Sequence, residues 1–286
     1  MTSRIDAHQH FWKLERGDYR WLGPELVPLY RDFGPQDLAP LRARHGIGGS
    51  VVVQAADTLA ETEFLLKIAE NEPSVLGVVG WVELDSHAAP DTLARLAQHP
   101  KFVGVRPMLQ DLEDERWILR GSVAPALRAL VELDLAFDAL VKPRHLPHLV
   151  TLVERHPELR IVLDHGAKPD IAAGREWSGF SAWVSHLRTL GAQPLLHCKL
   201  SGLPTEARAD WTREDLRPHV DALLGAFGPE RMMWGSDWPV VELGGGYDRW
   251  TSASHALVDH LNPAEQLALF GATAAGFYGL ELNTLP

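Results

Sequence analysis

The chain has a single cysteine, Cys198, in 286 residues, so no internal disulfide can form, and such sparing use of thiols fits a reducing compartment. Positive charge is also scarce: 27 Lys and Arg stand against 38 Asp and Glu, for a net charge of −11. That balance argues against the clustered basic surface by which nucleic acid or an anionic membrane would be bound. No apolar run approaches the roughly 20 residues needed to cross a bilayer. The start, "MTSRIDAHQH", has no apolar segment behind a basic one, so it does not read as a secretory leader. The first apolar run is not followed by a glycine-rich phosphate turn, which weakens the case for an open nucleotide-binding sheet. These absences point to a globular protein of the cytoplasm with neither a nucleic-acid nor a membrane partner.

What is present is a regular alternation. Hydrophobic residues make up 45% of the chain, enough for a sizeable core. Eight short apolar runs rich in β-branched residues occur at 4–10, 49–55, 75–84, 102–109, 135–141, 160–166, 196–203 and 231–240. Between them lie stretches with apolar residues spaced by three and four, such as "DTLAETEFLLKIAEN" and "RHLPHLVTLVERHP". "NPAEQLALF" opens a last helix, with Asn262 as N-cap, Pro263 in the first turn and Glu265 three residues after the cap. Strands alternating with helices require parallel pairing through crossovers. Eight such units predict an α/β protein, a (β/α)8 TIM barrel forming one domain over 1–286, with a long loop at 11–34 after strand one.

In such a barrel the carboxyl ends of the strands carry the chemistry. Those ends hold His8 and His10, Gln54, Trp81 and Glu83, Arg106, Asp138, His165 and Lys168, Lys199 and Ser201, and Asp237. In an extended strand Asp6, His8 and His10 fall on one face, a spacing at which two imidazoles can converge on a metal or on one substrate oxygen. Read singly, the histidines could equally be surface groups satisfied by water, and Arg106, Lys199 and Asp138 could be partners in a structural network. Asp237, in the Trp-flanked "WGSDWPV", is expected to be partly desolvated, with a raised pKa suited to a general base. His197 and Cys198 read as structural. The histidines outside the strands, His145 and His219 among them, read as exposed polar residues.

Taken together, "DAHQHFW", "LDHGAKP" and "GSDWP" resemble the amidohydrolase superfamily in its amidohydrolase-2 branch. With "YRWL", "LYRDF", "VVVQAA", "GVRPMLQ" and "KLSGL" in the same order, the chain resembles the sugar-lactone hydrolases of that branch, of the L-fuconolactonase and L-rhamnonolactonase type. The resemblance implies that His8, His10, His165 and Asp237 form the catalytic set and bind a metal where one is present. It implies hydrolysis of a sugar-acid lactone, with Asp237 activating the water. Arg106, Lys168, Gln54, Trp81, Tyr30 and Arg31 are then expected around the sugar, with Trp12 and Trp21 nearby. The chain departs from two-metal relatives: no candidate for a carbamylated lysine is found, and Thr273 stands where relatives commonly have Asn. One divalent ion or none is therefore expected, zinc first, with catalysis able to proceed without it. A decarboxylase of the same branch and a non-catalytic sugar-acid-binding protein are the alternatives.

Overall fold

The computed structural model describes residues 4–282, apart from the side chain of Arg175. Eight parallel strands pair in chain order: β1 (Arg4–Gln9), β2 (Ile47–Val53), β3 (Val75–Gly80), β4 (Phe102–Val105), β5 (Ala136–Ala139), β6 (Ile161–Leu163), β7 (Leu196–Leu200) and β8 (Met232–Trp234). The ring closes where Asp237 N donates to His8 O at 2.8 Å and His10 N donates to Trp238 O at 2.7 Å. The expected (β/α)8 barrel is therefore present. Its seam runs through three of the expected site residues.

Strands buried on both faces need nearly continuous apolar sequence, and "VVV" in β2 and "VLGVVG" in β3 supply it. Inside the barrel, Ile5, Ala7, Val51, Val53, Val79 and Met233 form one cluster. Phe277, Tyr278 and Leu280 of the last turn pack against it. The outer helices are α1 (Pro35–His45), α2 (Leu59–Asn71), α3 (Ala89–Leu96), α4 (Ala124–Glu132), α5 (Leu146–Arg155), α6 (Phe180–Gly191), α7 (Arg213–Phe227) and α8 (Tyr247–Leu257). They are followed by α9 (Pro263–Leu267) and α10 (Thr273–Tyr278). Asn262 caps α9 as expected, accepting from Ala264 N and Glu265 N. Neither α1 nor α7 shows a clear apolar period in the sequence, since Pro40 and Pro218 interrupt them.

Two histidines expected at the surface are buried instead. His145 Nδ1 accepts from Lys142 N at 3.0 Å, and His219 packs among Trp177, Phe180 and Trp183. In each case an imidazole fills apolar space while one ring nitrogen keeps a backbone partner.

The 11–34 loop folds over one side of the mouth on an aromatic core of its own. Trp12 and Phe33 pair as a bridge, and Trp12 Nε1 donates to Arg31 O at 2.8 Å. Buried Glu61 of α2 pins the loop: it accepts from Tyr19 Oη at 2.8 Å and from Ala55 N at 3.2 Å, with Arg16 Nε at 3.5 Å. Burial raises the Glu61 carboxyl to about 7. A folded-state pKa above the unfolded one contributes stability in full below the unfolded value and loses it as pH rises through the folded value. Glu61→Gln, which carries no charge to bury, should therefore show a smaller fall in urea midpoint between pH ~5.5 and ~8 than the parent. Equal falls in both proteins would remove Glu61 from this role.

Candidate active site

The register between β1 and β2 slips between Asp6 and Gln9, breaking the strand's alternation. Ile5 and Ala7 face the barrel interior, and after the slip His8 and His10 bring their rings to 5.0 Å centroid to centroid. Gln9 bonds Ser50 Oγ at 3.2 Å. Asp6 does not share the histidines' face. It accepts from Ser236 N at 2.8 Å and from Tyr247 Oη at 3.4 Å, tying β1 to the segment after β8. Burial raises its carboxyl to about 6.

His165 comes from a turn after β6 whose residues are all left-handed: φ is 53° at His165, 57° at Gly166, 64° at Ala167 and 50° at Lys168. Only one of these is glycine, and the others carry the steric cost of that region. Both His165 and Lys168 line the same cavity. Ser201 Oγ lies 2.8 Å from His165 Nδ1. Gly202 leaves room for the imidazole, since a Cβ there would fall 2.5 Å from the ring. The His165 ring sits 4.5 Å from that of His8, and burial pushes its pKa down to about 4.

Asp237, also left-handed at φ 58°, directs one oxygen at three rings. Its Oδ1 is 3.3 Å from His10 Nε2 and 3.8 Å from Nε2 of both His8 and His165. Burial alone would raise this carboxyl, but His165, the close contact with His10, and His8 together outweigh burial and hold it well below the usual carboxylate range. The expected upward shift is thus reversed, because the group that desolvates Asp237 is a cage of imidazoles.

The His10 contact carries a chemical demand. Val53 O, 2.8 Å from His10 Nδ1, can only accept, so Nδ1 carries the hydrogen of the neutral ring. Nε2 then presents a lone pair to the ionised Asp237 oxygen. Two acceptors facing at 3.3 Å are favourable only with a proton or a cation between them. His8, His165 and Asp237 each offer one donor atom, all within 4.8 Å of one another, with His10 beside them. This donor set fits a divalent cation.

Behind the rings lies a buried ionic network. Lys199 Nζ reaches Asp138 Oδ2 at 2.5 Å, Asp164 Oδ1 at 3.0 Å and His8 Nδ1 at 3.1 Å, and Tyr278 Oη donates to Asp138 Oδ2 at 2.8 Å. Lys199 and His8 hold Asp164 well below the usual carboxylate range although burial works the other way. Asp164 sits inside "LDHGAKP" with no signal apart from its neighbour, and sequence reasoning passed over it.

The cavity above Asp237 measures about 220 Å³. Arg106, Lys168 and Trp21 line it with His10, His165 and Asp237. Four expected contacts are not among its lining residues. Gln54 is buried and braces Arg106, donating to Arg106 O at 2.7 Å, while its own carbonyl accepts from Arg106 Nη2. Trp81 is held through its backbone by Thr62. Tyr30 is exposed, and Arg31 lies over the Phe33 ring and pairs with Asp37. Met108, Gln110 and Asp111 after β4, Leu140 after β5 and Val240 after β8 line the cavity instead.

The chain belongs to the amidohydrolase family, which it matches over residues 5–280. It is 48% identical over 285 residues to L-fucono-1,5-lactonase of Burkholderia ambifaria, covering 98% of this chain and 97% of that protein. It is 41% identical to L-fucono-1,5-lactonase of Burkholderia multivorans, covering 97% and 96%. The crystal structure of a zinc-bound amidohydrolase from Burkholderia multivorans superposes with a TM-score of 0.92 at 38% identity, covering 98% of this chain and all of that one. A 2,6-dihydroxybenzoate decarboxylase from Rhizobium shares the fold, with a TM-score of 0.67 at 15% identity, covering 98% of this chain and 99% of that one.

Gly202→Ala should leave the barrel folded but displace His165, lowering kcat/KM on a lactone substrate by about 100-fold. Circular dichroism would establish the fold and steady-state kinetics the loss. Parent-level turnover in the folded variant would show that His165 needs no such placement.

Proposed function

We propose that the chain hydrolyses a sugar-acid lactone of the L-fucono or L-rhamnono type, with Asp237 as general base. The observation that carries this reading is the single Asp237 oxygen faced by three imidazoles at the floor of a small cavity, in a chain 48% and 41% identical to two L-fucono-1,5-lactonases. A cavity of about 220 Å³ lies below the roughly 300–1,000 Å³ of drug-sized sites and suits one sugar ring. Trp21, Met108 and Leu140 offer apolar surface, while Gln110, Asp111 and Lys168 offer partners for hydroxyls. The decarboxylases share only the fold.

In the reaction Asp237 accepts a proton from the attacking water as the water oxygen bonds to the carbonyl carbon. The carbonyl oxygen becomes an oxyanion, for which Arg106 and Lys168 provide positive charge within the cavity wall. The bond from the carbonyl carbon to the ring oxygen then breaks, and Asp237 returns the proton to that oxygen. The imidazoles around it favour the base form of Asp237. His165 is steadied by Ser201 and His10 by Val53 O. A single divalent ion held by His8, His165 and Asp237, with His10 beside them, would add Lewis-acid polarisation of the carbonyl. Zinc is the first candidate, and the fixed cations let the reaction proceed without it.

The test is acid release from a panel of aldonolactones, followed by a pH indicator, with elemental analysis of the same sample. Turnover of L-fucono-1,5-lactone and its close stereoisomers is expected, with at most one ion per chain. Asp237→Asn should lower kcat and kcat/KM together by a factor of ~100 to 10,000. An Asn variant with the parent's ion content and near-full turnover would remove Asp237 from catalysis, and a panel with no turnover would overturn the substrate class.

A further inference from the structure

His8 has a cationic side chain at each ring nitrogen. Lys199 Nζ is 3.1 Å from Nδ1, and Arg106 Nη1 is 3.2 Å from Nε2. A neutral imidazole has one N–H and one lone pair, so it can accept from only one of them. Lys199 already has two carboxylate oxygens, from Asp138 at 2.5 Å and Asp164 at 3.0 Å. Asp164 Oδ1 lies 3.4 Å from His8 Nδ1, which places negative charge on that side of the ring. With the hydrogen on Nδ1 and the lone pair on Nε2, Arg106 gains an acceptor, and the one donor left facing an N–H is the Lys199 ammonium, which has the Asp138 and Asp164 carboxylates to turn toward. In that arrangement Arg106 Nη1 donates into the Nε2 lone pair of His8.

The same lone pair is the one that faces Asp237, 3.8 Å away, and the one a cation would need. Arg106 is fixed there. Nη2 donates to Gln54 O, Nη1 also reaches Asp164 Oδ2 at 3.4 Å, and Gln54 Nε2 holds the Arg106 carbonyl. The guanidinium is 4% exposed, so its charge is poorly screened by solvent. Arg106 Nε–H is buried with no partner among the described residues. The side chain thus retains a free donor while its Nη1 occupies the ring.

We propose that Arg106 and a divalent cation are alternative occupants of the His8 Nε2 lone pair, so that Arg106 sets how tightly the site binds metal. This rests on reading His8, His165 and Asp237 as a cation site. When Nη1 is seated, it supplies a fixed positive charge where a metal would otherwise sit. When a cation binds, it must break the Arg106–His8 hydrogen bond and bear the repulsion of a buried guanidinium. The inference explains in physical terms why one catalytic cavity could work with an ion or without it. It also gives Arg106 a role in metal affinity beyond its contact with substrate.

The experiment is zinc binding to the full-length protein by competition with a chromophoric chelator, on the parent, Arg106→Met and Arg106→Gln, each checked for folding by thermal melting. Both variants should bind zinc about tenfold more tightly or better, and adding His8→Gln to either should abolish the gain. Unchanged or weaker zinc binding in the folded variants would overturn the competition. If the parent binds no zinc and a variant does, the proposal stands. If neither binds, both the competition and the cation site fail. Lactone turnover, measured separately, is not a readout of either. Should both variants fail to fold, zinc titration of the parent decides: the Arg106 Nε–H resonance must shift in proportion to zinc bound, and a resonance that stays in place would overturn the proposal.

Discussion

One carboxylate oxygen organises this molecule's chemistry. Asp237 Oδ1 stands within 3.3–3.8 Å of three imidazole nitrogens brought from β1, from the residue just after it and from the turn after β6. A buried anion needs compensation, and because burial disfavours charge on the rings and His10 turns a lone pair toward Asp237, that compensation calls for a proton or a cation held among them. Lys199 sits one layer further back, paired with Asp164 and Asp138, while Arg106, also paired with Asp164, reaches the cavity wall. The result is a carboxylate held below its usual range whose facing nitrogens leave room for a proton or a cation.

The barrel is built to hold that arrangement. Its closing bonds, Asp237 N to His8 O and His10 N to Trp238 O, join the end of β1 and the residue after it to the segment bearing the aspartate. Closing the ring and assembling the site are therefore one event. Left-handed backbone at His165, Lys168 and Asp237 aims each side chain inward at a local steric cost. Two glycines keep the space clear: Gly202 behind the His165 ring, and Gly235, where a Cβ would fall 2.6 Å from His8 Cβ. That is why "KLSGL" and "WGSDW" carry small residues beside the reactive ones.

Much of this was legible in the residues. Alternating apolar runs and helix-period stretches gave away the barrel, and strand-end positions brought His8, His10, His165, Asp237, Arg106 and Lys168 to one mouth. Other features depend on backbone geometry that no spacing encodes. The slip between Asp6 and Gln9 places Asp6 away from the histidines it seemed to accompany. Gln54 sits at a strand end yet turns to brace Arg106, because a buried guanidinium needs acceptors and a fixed main chain more than the cavity needs another amide. Met108 and Gln110 stand inside "GVRPMLQ" and Asp111 just after it, but nothing in that motif beyond Arg106 signals a cavity wall. The pKa of Asp237 went the other way because the imidazoles of His165, His10 and His8 outweigh the burial that its Trp-flanked sequence foretold.

The central claim is that the imidazole cage keeps Asp237 ionised far below neutrality. The direct measurement is a 13C NMR titration of the aspartate side-chain carboxyls, with the Asp237 signal assigned by its loss in Asp237→Asn. The account predicts no titration step for that signal from neutral pH down to the ordinary aspartate range near ~4. A step between pH ~5 and ~7 would mean that burial and not the imidazoles governs the carboxylate, and would contradict the account.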